Sequence, residues 1–185
     1  MLTALIDYES GNLHSALKAF EKISSENSLG SVTITNDPEI ISNADRLVLP
    51  GDGAFPACKA ALEKSEVFEA LKHAVLAKRR PFLGICVGMQ LMAKKGFEFE
   101  PTNGLNWING QVERIQLDDP SLKIPHMGWN EIAIDYDHAI LKDIKNGDHF
   151  YFVHSYQMRV FSHEERLAHV DYGCLLYTSP SPRDP

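Results

Sequence analysis

Along the first half of the chain, short apolar runs alternate with segments whose apolar residues recur at helical spacing. Leu2–Ile6 is an apolar run that stops at Asp7, the pattern of a buried first strand. A turn-rich stretch, 8–12, leads into Leu13, Ala16, Leu17 and Phe20, which share one helical face. Residues 32–35 alternate as a second strand, and 46–49 form a third, cut off by Pro50-Gly51-Asp52-Gly53. Val67, Leu71, Ala74 and Val75 mark another amphipathic helix, ending in Lys78-Arg79-Arg80 before Pro81. Residues 82–85 are a compact apolar strand, and 87–93 read as a helix directly after it. Strands alternating with helices predict a mostly parallel sheet covered by helices on both faces, a three-layer α/β arrangement. The second half changes character: 107–117, 129–134 and 150–156 read as strands with few helices between them. They are expected to be antiparallel additions to the same sheet, not a separate domain.

Composition narrows the function classes. A chain of 185 residues fits one domain and is long enough to bury a single core. Apolar residues at 44% and charged residues at 23% are ordinary globular usage. The net charge is −7, and the basic clusters, 78–80 and 94–95, are both expected at helix ends, where they complement the dipole. An acidic chain without a basic stripe is a poor nucleic-acid binder. Cys58, Cys86 and Cys174 are too few and too scattered for a disulfide framework or a metal site. The N-terminus has no positive region and its apolar run ends at Asp7, unlike a signal peptide. No stretch approaches the roughly 18 apolar residues of a membrane span. The expectation is a soluble cytoplasmic protein with neither membrane contact nor cofactor.

The most informative segment is 81–92, which holds Gly84-x-Cys86-x-Gly88, the cysteine form of a nucleophile elbow. A nucleophile on a sharp strand-to-helix turn needs small neighbours, because the backbones pack closely and the turn is strained. Cys86 would cap the following helix, where the dipole favours thiolate over thiol, and the Val87 N–H would face a developing oxyanion. Taken alone, the motif is equally compatible with a buried structural cysteine. The second element is the strand ending in Pro50-Gly51-Asp52-Gly53, a loop at the carboxyl edge of the sheet, where open α/β sheets bind ligands. By itself it would read as an ordinary strand-to-helix turn; two such loops on one edge are harder to dismiss.

Together, GICVGMQLM (84–92) and LVLPGDGAF (47–55) resemble the class I, triad glutamine amidotransferases, whose fold is flavodoxin-like. Four further segments are similar to the glutaminase subunits of imidazole glycerol phosphate synthase: 6–13 (IDYESGNL), 104–110 (GLNWING), 124–130 (IPHMGWN) and 151–156 (YFVHSY). The resemblance runs from about residue 2 to Gly173. It implies that Cys86 attacks the side-chain amide of L-glutamine, giving a thioester and ammonia, with water then releasing glutamate. It implies an oxyanion hole combining the Val87 N–H with a backbone N–H from Gly51, Asp52 or Gly53, in a loop that turns productive when the synthase partner is engaged. Gln90 would hold the substrate, and His154, Ser155 and Tyr156 would bind its α-amino and α-carboxylate groups. Ammonia would pass to a (β/α)8-barrel cyclase subunit of histidine biosynthesis, forming a heterodimer whose interface includes Asn12, Met127, Trp129 and Asn130. The opposite reading of Trp129 is a core strand tryptophan.

The pattern is incomplete. The family's triad is closed by a downstream His-Pro-Glu, which this chain does not contain. His163 and His169 are weak substitutes, and His126 and His154 belong to other matched segments. The domain is expected to span 1–173, with its C-terminal part missing. The last residues, 174–185 (CLLYTSPSPRDP), show no strand or helix period and resemble translated sequencing-adapter read-through, a non-native tail. The chain as written is therefore expected to be inactive and, with apolar sheet left uncovered, prone to aggregate. Asp52, where the family often has an apolar residue, is expected to face solvent or the interface. Competing readings are a triad glutaminase subunit of pyridoxal phosphate or anthranilate synthase, a non-catalytic relative, and a cysteine hydrolase of similar fold.

Overall fold

The computed structural model describes residues 1–173 and the backbone of Leu175–Thr178. The chain divides into two compact units, one ending at Met92 and the other starting at Ala93.

The first unit is built on a parallel sheet of order β2-β1-β3-β4, from β1 (Leu2–Ile6), β2 (Ser31–Thr35), β3 (Arg46–Gly51) and β4 (Phe82–Cys86). Ala4, Leu5 and Ile6 of β1, and Leu47 and Leu49 of β3, are buried in succession, as expected of central strands covered on both faces. Each such Leu or Ile contributes roughly 1.5–3 kcal/mol through burial. The helices are α1 (Leu13–Asn27), α2 (Pro38–Asn43), α3 (Phe55–Lys64), α4 (Phe68–Lys72, extended by a π-turn over His73–Ala77) and α5 (Val87–Gln90). The step from β1 to β2 runs across the sheet in the opposite sense to β2–β3 and β3–β4. Right-handed crossovers therefore place α1 on one face and α2 with α4 on the other, and α2 does pack on α4. The direction reverses between β1 and β3, and a ligand crevice opens at the carboxyl ends of such strands.

In the second unit, β5 (Ala93–Gly96), β6 (Thr102–Asn103), β7 (Ile108–Arg114) and β11 (Tyr156–Val160) make a sheet of order β11-β7-β5-β6. β8 (His126–Glu131) pairs antiparallel with β10 (His149–His154), and β9 (Ala133–Ile134) pairs with β12 (Ala168–Asp171), which in turn pairs with β13 (Leu175–Thr178). Ile115 and Val170 anchor a small core with Leu117, Ile124, Phe152 and Tyr172 packed on it.

The strands and helical faces expected of the first half are present, while four expectations need correction. The second-half strands form sheets of their own and are not additions to the parallel sheet. The helix expected over 87–93 stops at Gln90, because Ala93 is already paired with Ile108 in β5. Lys94 and Lys95 consequently lie in a strand and not at a helix end. Residues 175–178 adopt strand pairing where no period was expected; pairing on β12 needs only backbone donors and acceptors, which any sequence supplies. The rest of the 174–185 tail lies outside the described residues. Two helices went unrecognised in the sequence, α2 and α3. Pro38 and Pro56 in their first turns, with the Asp37 side chain capping α2, were the available signals.

Candidate active site

Three connections leave the same carboxyl edge of the first unit's sheet: 7–12 after β1, 51–54 after β3, and the β4–α5 junction at Cys86. At that junction Cys86 has φ 54° and ψ −120°, a conformation L-residues avoid. The strain is held by backbone contact on both sides. A Cβ at Gly84 would lie 2.5 Å from the Met89 Cα, and one at Gly88 would overlap the Leu49 carbonyl oxygen. The two glycines flanking the cysteine are thus required by packing, and the thiol is pushed out of the sheet edge into an exposed position.

Protein groups around the Cys86 thiol push its pKa up: burial of part of the group acts most strongly, and the charges of Asp52 and Cys58 act in the same sense. Against them, the Val87 N–H, which hydrogen-bonds the sulfur, lowers it. This corrects the expectation of a dipole-favoured thiolate. An α5 of 4 residues offers little dipole against desolvation and a neighbouring carboxylate. In this arrangement the Val87 N–H is directed at the Cys86 sulfur.

The glycine loop is engaged from beneath. The Asp52 N–H donates to Ser10 Oγ at 3.2 Å, the Ser10 hydroxyl donates to the Asp52 carbonyl at 2.9 Å, and the Cys58 thiol reaches the same carbonyl at 3.4 Å. Gly51 is buried, Gly53 has φ 112°, and the Asp52 side chain is exposed, as expected. In this arrangement the Asp52 N–H is not turned toward an oxyanion. Gln90, one helical turn past Cys86, is buried. Asn12 is exposed, and its side chain caps α1 by accepting from the Ser15 N–H at 3.2 Å.

The remaining predicted residues belong to the second unit. His154 Nδ1 donates to the Tyr156 carbonyl at 3.0 Å, so its Nε2 accepts from His126 Nδ1, also at 3.0 Å. The His126 ring is buried, 5.0 Å from Phe152 and 4.0 Å from Tyr172, centroid to centroid. Burial pushes both imidazoles below their ordinary pKa, so the pair is neutral. The Ser155 carbonyl accepts from the Ile115 N–H at 3.0 Å. His169 Nδ1 lies 3.0 Å from Asp135, whose carboxylate also receives a bidentate pair of bonds from Arg166; this is a local ion-pair cluster. His163 begins a 3₁₀ turn, 163–165.

Met127 and Trp129 stand on one face of β8, paired directly with Val153 and Tyr151 of β10. These four are 60%, 69%, 57% and 55% exposed, respectively, which makes the face an apolar surface and not core. Trp129 and Tyr151 meet edge to face at 5.6 Å. Tyr151 and Val153 were missed as surface residues, although the period of 2 across 150–156 carried the signal. Asn130 alternates to the other face, where its amide donates to the Asp171 carbonyl at 3.1 Å.

Comparison with known proteins identifies the family. The family model of glutamine amidotransferase class-I matches residues 4–173. The chain is 58% identical to the imidazole glycerol phosphate synthase subunit HisH of Ruegeria pomeroyi over 94% of its own length and 82% of that protein. The HisH subunits of Cereibacter sphaeroides and Rhodospirillum rubrum are 55% and 50% identical over the same shares. Among solved structures, a glutamine amidotransferase superposes with a TM-score of 0.67 at 14% identity, over 94% of this chain and 82% of that one. A glutamine amidotransferase from Thermotoga maritima gives 0.59 at 16% identity, over 97% and 69%. The chain belongs to the class-I glutamine amidotransferase family and, within it, to the HisH subunits of imidazole glycerol phosphate synthase.

Proposed function

We propose that the protein is the glutaminase subunit of imidazole glycerol phosphate synthase, with Cys86 as its nucleophile. The carrying observation is the exposed thiol held at positive φ between two packing-enforced glycines, with the Val87 N–H on its sulfur. The Cys86 thiolate attacks the side-chain amide carbon of L-glutamine; the C–S bond forms as the carbonyl oxygen takes the charge. Collapse breaks the C–N bond, and the nitrogen leaves as ammonia after gaining a proton. Water then cleaves the thioester to glutamate. Val87 N–H and a donor from 51–53 hold the oxyanion. Gln90 positions the substrate, and the 154–156 segment holds its α-groups. With both His154 ring nitrogens engaged, that segment acts through its backbone and Ser155.

A thiol whose pKa is raised needs a base to become a nucleophile. The 185 residues contain no His-Pro-Glu. We assign the base and its orienting carboxylate to sequence beyond these residues, and the chain by itself is expected to hydrolyse glutamine poorly. Ammonia is used by a (β/α)8-barrel cyclase partner in the cytoplasm, in a lyase step that yields imidazole glycerol phosphate and an aminoimidazole carboxamide ribonucleotide. The face of Met127, Trp129, Tyr151 and Val153 in the second unit supplies partner surface, and exposed Asn12 does so in the first; aromatic anchors of this kind dominate interfaces. The test mixes the full-length gene product with the cyclase and follows glutamine-dependent imidazole glycerol phosphate. Product formation with this partner, and none with pyridoxal phosphate or anthranilate synthase partners, is expected. Absence of glutamine hydrolysis in the cyclase complex would overturn the assignment.

A further inference from the structure

Beneath the glycine loop lies a hydroxyl that the resting arrangement leaves idle. Tyr8, just past the end of β1, is 2% exposed, and its hydroxyl oxygen has no hydrogen-bond partner among the described residues. Ser10 and Cys58 are its polar neighbours, and burial raises the phenol far above its ordinary pKa, so it keeps its proton and has it available to donate. That hydroxyl lies against the loop itself: a Cβ placed on Gly51 would be 2.9 Å from it. A buried hydroxyl with its bond unmade is costly, and native proteins retain few of them.

The opposite half of the mismatch is in the loop. The Asp52 N–H, needed as a second oxyanion donor beside Val87, is tied to Ser10. Freeing it requires the Gly51–Asp52 peptide to rotate, and a rotating peptide exchanges the directions of its two ends. As the N–H turns outward, the Gly51 carbonyl turns inward, toward the side where Tyr8 and Ser10 stand. Gly53, already at φ 112°, gives the chain after Asp52 the freedom to follow the change.

We propose that Tyr8 is a positioning residue for the oxyanion hole: its buried hydroxyl receives the Gly51 carbonyl when the peptide turns and so stabilises the productive loop. The inference rests on the glutaminase reading above and deepens it. Tyr8 donates no bond in the resting loop and one in the turned loop. Its effect therefore falls on turnover and not on the stability of the resting protein.

The experiment compares Tyr8→Phe with the unaltered full-length protein, each in complex with the cyclase. The variant is expected to lose about tenfold in kcat, the worth of one hydrogen bond, with KM for glutamine unchanged. Alkylation of Cys86 by iodoacetamide, which needs no oxyanion hole, should keep its rate. The urea midpoint should stay level or rise, because a buried unpaired hydroxyl has been removed. An unchanged kcat overturns the proposal, and so does a fall in kcat accompanied by a lowered urea midpoint, which marks Tyr8 as structural only. Failure of the unaltered complex to hydrolyse glutamine at all would instead strike the glutaminase reading.

Discussion

Replacing Cys86 by glycine should make the protein more stable than replacing it by alanine, the reverse of the usual ranking. Cys86 occupies φ 54° and ψ −120°, where a Cβ is opposed by the backbone. Such strain costs on the order of 1–3 kcal/mol. Alanine keeps the Cβ and therefore the strain, while glycine removes it. Against this, glycine gives the unfolded chain more freedom, a loss of about 0.5–1 kcal/mol. The balance favours Cys86→Gly over Cys86→Ala by about 1 kcal/mol. The thiol is exposed, so its deletion contributes little in either variant. The assay is urea unfolding followed by helical circular dichroism, to which α1–α5 of the first unit are the main contributors. With a slope of roughly 2 kcal/mol per molar urea, the glycine variant's midpoint should lie about 0.5 M higher. Equal midpoints, or a higher one for alanine, would refute a strained elbow.

Other outcomes follow from the same geometry. Asp52→Asn removes a charge that raises the Cys86 pKa, so iodoacetamide alkylation near neutral pH should speed up, most clearly at low salt, since the carboxylate is exposed; an unchanged rate contradicts the coupling. The His126–His154 pair has folded pKa values depressed below the ordinary 6.5, so the unfolded state binds protons first as pH falls. Its stabilising contribution is full above that value and declines as pH drops through it. The urea midpoint should fall in that window and His154→Asn should flatten the dependence; a slope unaltered by the substitution argues against it. Gly88→Ala drives a Cβ into the Leu49 carbonyl oxygen, which as backbone cannot yield, and should cost at least about 1–3 kcal/mol; a native urea midpoint would show the elbow to be looser than described. Trp129→Ala should weaken cyclase binding by about 2 kcal/mol or more, near thirtyfold by calorimetry, with circular dichroism unchanged.

What could be read from the sequence was the local chemistry. Gly84-x-Cys86-x-Gly88 after an apolar run specifies a strained turn, because no larger residue fits against Leu49 and Met89. The continuous burial of β1 and β3 was visible as unbroken apolar runs. The sign of the Cys86 pKa shift was not legible: it is set first by how far the fold buries the thiol, with Asp52 and Cys58, brought near from separate elements, adding in the same sense. Nor could the sequence show that the Asp52 N–H is occupied, since Ser10 lies 42 residues away. The end of α5 at Gln90 was obscured because Leu91 and Met92 continue the helical pattern, while Ala93 is claimed by long-range pairing with β7. Tyr151 and Val153 alternate with Phe152, but only the register with β8 shows which face is left bare.

The most direct test of Cys86 as the glutaminase nucleophile is mass spectrometry of the full-length protein in complex with the cyclase, after reaction with a diazoketone analogue of glutamine. A single adduct on Cys86, blocked by excess glutamine and accompanied by loss of ammonia production, is the predicted result. Glutamine hydrolysis that survives with Cys86 unmodified, or an adduct formed on Cys58 instead, would contradict it.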